Sequence, residues 1–175
     1  MTKKSKRRVK LIKKILTHMK SNNMFSKKVS RKRDTESFIQ KNLFLSLEEK
    51  LGDFLEEYGL SKNKNKKAVE SFQWEQKLET TVNNFSVFST NHRPDAVLSL
   101  DGIRIGIEIK KGDGGAALRS GLGQCVIYSS EFDFVVYLFV DTTPNENIKK
   151  SLKSVSEKRI ITDLWQNDNV MFDII

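Results

Sequence analysis

The sequence predicts an α/β fold, a central mixed β-sheet flanked by helices, with a basic helical extension at the N-terminus. Three observations predict it. Stretches with apolar residues at helical spacing interleave with stretches that alternate or run on as strands do. Asp101-Gly102 sits between two β-rich runs, the pattern of a tight hairpin. The length of 175 residues, 38% of them hydrophobic, suits one ordinary domain plus an appendage.

Taken in order, residues 1–8 are almost all polar and basic and are expected to lack order on their own. Val9, Ile12, Ile15, Leu16 and Met19 then recur at helical spacing with lysines between them, which predicts a short amphipathic helix. Residues 27–33 form a second basic cluster. A helical stretch begins near Thr35. Ser46 and Glu49 have capping-box spacing, and Leu47, Leu51, Phe54, Leu55 and Tyr58 give an apolar face that Gly59 is placed to end. Residues 62–67, Lys and Asn only, read as a solvated linker. Three parts follow: a basic arm over 1–34, a helical extension and linker over 35–66, and the core over 67–175.

Within the core, residues 68–82 read as a helix with Val69, Phe72, Leu78 and Val82 inward. Residues 85–89, 96–100 and 103–109 read as strands, residues 116–128 as a helix despite Gly121 and Gly123. Residues 132–140 are nearly all apolar, as in a buried central strand. Pro144 suits the first turn of a further helix, and residues 170–175 close the sheet. Trp74 and Trp165 read as core residues.

Charge narrows the function classes. Residues 1–33 hold fourteen Lys or Arg and no Asp or Glu, whereas the other 142 residues hold 17 basic and 22 acidic side chains. The basic character belongs to the arm, which suits a polyanion such as nucleic acid. A membrane is the lesser reading, since the apolar face over 9–20 is small and lacks Trp or Phe. Cys125 alone supports neither a disulfide framework nor a Cys-rich zinc site, and reads as a small buried side chain. No apolar run is long enough to span a membrane and no secretory signal opens the chain, so the expected setting is soluble and intracellular.

The hairpin carries the chemistry. A turn at Asp101-Gly102 makes residues face each other when their numbers sum to about 203, so Asp95 opposes Glu108. Side chains alternate along a strand, which puts Lys110 on the face of Glu108. Ile103, Ile105, Ile107 and Ile109 take the buried face. Two carboxylates and an ammonium thus converge at one end of the hairpin. Paired carboxylates bind a hard cation such as Mg²⁺ through oxygen, with the Ile109 carbonyl as a further ligand. Such a cation activates water and neutralises phosphate, and a lysine beside it orients that water, helps deprotonate it or stabilises developing charge.

At these residues the chain resembles the PD-(D/E)xK nuclease superfamily. Pro94-Asp95, twelve intervening residues and Glu108-Ile109-Lys110 match its motif, and the resemblance covers roughly residues 68–140. It implies a restriction-endonuclease-like core, a Mg²⁺-dependent phosphodiester hydrolase acting on DNA, Mn²⁺ as a substitute, and products with 5′-phosphate and 3′-hydroxyl ends. It is compatible with a homodimer. Gln124 and Tyr128 have the Gln-x-x-x-Tyr spacing of the RecB-like branch, where they would contact phosphate or brace the lysine. Many members place a metal-binding Glu on the helix before the first strand. Glu75 is the residue assigned to that role, with Glu79 one turn later. The alternative function is a nucleic-acid-binding module of the same fold without turnover.

Overall fold

A computed structural model of the chain describes residues 5–22, 33–77, 81–100 and 102–175. In chain order the elements are α1 (Lys6–Lys20), α2 (Glu36–Tyr58), α3 (Lys62–Glu70), β1 (Gln73–Trp74), β2 (Phe85–Val87), β3 (Thr90–His92), β4 (Ala96–Leu100), β5 (Ile103–Gly112), α4 (Gly115–Tyr128), β6 (Phe134–Asp141), α5 (Asn147–Ser151), α6 (Val155–Asp168) and β7 (Val170–Ile174). The sheet order is β1-β4-β5-β6-β7, with β2 and β3 forming a separate two-stranded ribbon. β4 is antiparallel to β1 and β5, whereas β5, β6 and β7 run parallel. The fold is therefore α/β with a mixed central sheet flanked by helices.

Alternation along β5 divides the core. Ile103, Ile105, Ile107 and Ile109 join Leu98, Val136 and Leu138 in a cluster with Leu11, Ile15, Leu43 and Leu47 from α1 and α2. The opposite face packs Val97, Val135, Tyr137 and Phe139 against Cys125 and Tyr128 of α4 and Leu164 of α6. Every residue of β6 is buried, which explains its apolar run. Each large apolar side chain so buried stabilises the fold by about 1.5–3 kcal/mol relative to exposure.

Local signals set the helix ends. The Thr35 hydroxyl accepts the Phe38 N–H at 3.2 Å, and Gly59 ends α2 with φ 86°, a conformation glycine adopts without a Cβ clash. Ser46 does not start a helix. It lies inside α2, where its carbonyl and hydroxyl meet His18 Nε2 at 3.1 and 3.0 Å; the cap at Thr35 lets the helix run through. The apolar face of α1 is buried by α2 and the sheet. No helix among the described residues is long and apolar enough to cross a membrane.

Three expectations are corrected. Residues 62–67 are helical, forming most of α3, whose Ala68 is buried; the lysines point to solvent and nothing in them breaks a helix. The helix expected over 68–82 stops at Glu70, and Gln73-Trp74 pairs with Val97 and Ala96 instead. Phe72 and Trp74 are both buried, a two-residue spacing that fits one face of a strand and not one face of a helix. The strand expected over 85–89 is β2, which pairs with β3 outside the main sheet. Residues 1–4, the basic run 27–32, Leu78, Glu79 and Asp101 lie outside the described residues.

Candidate active site

β4 pairs with β5 from Leu100↔Ile103 to Ala96↔Ile107, the register that sums to 203. Asp95 immediately precedes β4, and beyond Ile107 β5 continues unpaired on that side to Gly112. The exposed edge of β5 is then satisfied by side chains rather than by a strand. Asp95 Oδ2 accepts the Ile109 N–H at 2.7 Å. Gln40 Nε2 donates to the Ile109 carbonyl at 3.3 Å, and Glu36 Oε2 accepts the Lys111 N–H at 2.8 Å. Buried backbone groups need such partners, and here they come from the residues that gather around the lysine.

Asp95 is 7% exposed and Glu108 1%. Lys110 Nζ lies 3.0 Å from Glu108 Oε1 and 3.6 Å from Glu36 Oε1. The structure thus brings Asp95, Glu108 and Lys110 together and adds Glu36. Burial, then the charge of Glu108, pushes the Asp95 carboxyl well above the usual range, against the Ile109 N–H and Lys110. Burial likewise raises Glu108, with Lys110 opposing. For Lys110 burial works against the charge, but Glu108, Asp95 and Glu36 outweigh it and hold its pKa above that of an ordinary lysine.

Two buried carboxyl groups thus stand beside one ammonium. Glu108 Oε2 is buried without a hydrogen-bond partner. The donor set is all oxygen, as a hard divalent cation prefers, so the residues fit Mg²⁺. Among the described residues no group of three or more His, Cys, Asp or Glu is arranged around a common metal position. The remaining ligands would be the Ile109 carbonyl, which keeps a lone pair beside Gln40, and oxygens of water and phosphate.

The raised carboxylate pKa values have a consequence for stability. A group whose pKa is higher folded than unfolded supports the fold below its ordinary pKa, and that support is lost as pH rises through the folded value. Glu108→Gln removes one of these charges. The metal-free variant is therefore expected to melt above the wild type at about pH 7, the gap closing as pH falls toward about 4, the ordinary carboxylate value. Melting curves at the two pH values, read by circular dichroism, check this; an equal gap at both would contradict it.

The other expected site residues lie as follows. Tyr128 is buried and its hydroxyl donates to the Arg93 carbonyl at 2.9 Å, so it braces the chain two residues before Asp95. Gln124 lies one turn earlier on α4, and its Oε1 is buried without a partner. Glu75 is not on a helix. It occupies the turn after β1, its N–H donating to the Asp95 carbonyl at 3.1 Å and its carboxylate paired with Arg93. The helix carboxylate that reaches Lys110 is Glu36, in the first turn of α2. Sequence reasoning missed Glu36 and Gln40. One signal was present: Gln40 is a polar residue among Ile39, Leu43 and Phe44, where helical spacing assigns a buried face.

Comparison with protein-family models gives no match, and comparison with curated protein sequences gives none. Among solved structures, the chain is similar to SfsA of Pyrococcus furiosus in complex with Ca²⁺, with a TM-score of 0.40 and 14% identity. The similarity covers 79% of this chain and 56% of SfsA, so this chain spans little more than half the length of that protein.

Proposed function

We propose that this chain is a metal-dependent nuclease that hydrolyses phosphodiester bonds in DNA. The observation that carries the reading is the burial of Asp95 and Glu108 beside Lys110, where the β4–β5 hairpin opens. The resemblance to the PD-(D/E)xK motif falls on the same residues. Asp95, Glu108 and the Ile109 carbonyl would hold Mg²⁺, with Mn²⁺ as a substitute. A bound cation of this kind lowers the pKa of water and neutralises charge on phosphate.

The protein's own groups supply the rest. Lys110, kept as an ammonium by three carboxylates, donates to a phosphate oxygen or to the attacking water and offsets the charge that builds on phosphorus oxygens. Water oxygen adds to phosphorus as the bond to the 3′ oxygen breaks; the water's proton passes to solvent and the departing 3′ oxygen takes one up, leaving 5′-phosphate and 3′-hydroxyl ends. Tyr128 fixes Arg93-Pro94-Asp95. Gln124, one turn before Tyr128 on the same helix, is the candidate to brace Lys110 or contact phosphate. Glu36 and Gln40 hold the β5 edge, so they position Lys110 without entering the reaction. The basic arm supports a nucleic-acid partner: the apolar face of α1 is buried, and on the outer face Lys6 and Lys13 have no acidic partner among the described residues.

The test is cleavage of end-labelled DNA in Mg²⁺ against EDTA. Mg²⁺-dependent products bearing 5′-phosphate are expected. Tight binding with no cleavage in Mg²⁺ or Mn²⁺ would favour the alternative, a binding module without turnover. Positioning residues give a graded prediction. Glu36→Ala is expected to lower kcat by about 10- to 100-fold, as loss of a supporting hydrogen bond does around metal sites, with little change in KM. Glu75→Ala, which removes only the partner of Arg93, is expected to cost less. The reverse order in steady-state kinetics would take the supporting role from Glu36 and give it to Glu75.

A further inference from the structure

The β2–β3 ribbon carries a feature that the site does not use. Phe88 at its tip is 92% exposed. The register Val87↔Thr90 leaves Phe88 and Ser89 as a two-residue turn, with φ of 50° and 60°. Such turns favour Asn and Gly, and a bulky side chain with positive φ is an outlier. Among the described residues, neither packing nor backbone preference accounts for a phenylalanine there.

The ribbon is anchored at its base and free at its tip. The Phe85 ring packs edge-on against Tyr128 and Phe132 at 5.8 and 5.9 Å, and beside His92 at 5.8 Å. β3 then leads through Arg93 and Pro94 into Asp95. Asp95 follows Phe88 by seven positions, a contour of at most about 23 Å at ~3.3 Å per residue.

Composition indicates what such a tip would meet. Residues 81–94 contain no Asp or Glu, although the chain outside the arm is acidic. Next to the tip the ribbon carries Ser86, Ser89, Thr90 and Asn91, all uncharged, while Arg93 at its base is paired with Glu75. An isolated aromatic among polar residues is too small a patch for a stable protein contact, but it suits one base plane, whose stacking on an aromatic is tolerant of sequence.

We infer that Phe88 is a stacking platform for an unpaired nucleobase of the DNA strand that Asp95 and Glu108 engage, so that the substrate is single-stranded or has an open end. The inference rests on the nuclease reading. It is tested with the full chain in the Glu108→Gln background, measuring binding of a single-stranded oligodeoxynucleotide and of a covalently closed circular duplex. Phe88→Ala is expected to weaken single-strand binding by about 5- to 100-fold and to change duplex binding less than about twofold. Phe88→Trp is expected to restore binding, with its indole emission quenched by the single strand.

Single-strand affinity within twofold after Phe88→Ala would overturn the stacking role, as would loss of a dimer in sedimentation with unchanged DNA binding. In the first case, cleavage by wild type that disappears with Glu108→Gln would leave the nuclease reading standing. Stacking without cleavage by any form would sustain the platform and remove the hydrolytic reading.

Discussion

Glu108→Gln is expected to lower Mg²⁺-dependent DNA cleavage by about 10²- to 10⁴-fold, because a bound cation supplies several kcal/mol of charge stabilisation in the reacting state. Gln keeps the shape of the side chain and one oxygen but loses the charge that holds the cation. Lys110→Met is expected to cost about 10²- to 10³-fold through the lost donor, while the methylene stem still covers the apolar surface beneath it. Single-turnover rates at saturating Mg²⁺ measure both. Folding is the control, since Glu108→Gln is expected to raise metal-free stability and not lower it. Activity within tenfold of wild type in both variants would remove these residues from the reaction.

The second large effect concerns the fold that presents the site. Gly121 lies on α4, facing β6. A Cβ at that position would stand 2.2 Å from Tyr137 Oη and 2.6 Å from its Cζ. Tyr137 cannot swing aside: it is fully buried, stacked on Phe172 at 5.1 Å, with its hydroxyl donating to the Leu118 carbonyl at 3.3 Å. Gly121→Ala is therefore expected to destabilise by about 2–3 kcal/mol, a fall in Tm of about 4–12 °C. The same change at Gly123, where a Cβ meets nothing within 4 Å, is expected to stabilise by about 0.5–1 kcal/mol, because Ala is the better helix former. Thermal melts of the pair separate close packing from helix propensity. Equal shifts would mean that α4 does not sit against Tyr137 as described.

These two glycines show where sequence reading stops. Spacing alone gave a helix with two unexplained glycines; the reason for one is a ring sixteen residues further on in β6. The β4–β5 register was legible because Asp101-Gly102 fixes the turn and the Ile alternation fixes the faces. Asp95 opposite Glu108 followed from local rules. The edge of β5 beyond Ala96 was not legible, since Glu36 and Gln40 reach it from 75 and 69 residues away. β1 and β3 have two and three residues, too few for any periodicity to register. Their existence depends on partners distant in sequence or in a tight turn with unusual residues. The lysine-rich stretch at 62–67 was misread for a different reason: charge reports solvation, and a solvated segment can be helical.

The basic arm divides the same way. Its charge was plain, and so was the helical spacing from Val9 to Met19. That its apolar face closes the core over β6 and β7, and so is not available to a membrane, depends on contacts with Ile39, Leu43 and Leu47. Lys20 also pairs with Asp173 of β7. Residues 6–20 of the arm are thus part of the folded body.

In the proposed function Asp95 and Glu108 share a divalent cation beside Lys110. Crystals soaked in Mn²⁺ and measured at the manganese edge test it most directly. Anomalous density between the Asp95 and Glu108 carboxylates, lost in Glu108→Gln crystals soaked alike, is the result expected. Full occupancy of Mn²⁺ elsewhere, with the two carboxylates still contacting only Ile109 N–H and Lys110, would contradict the account.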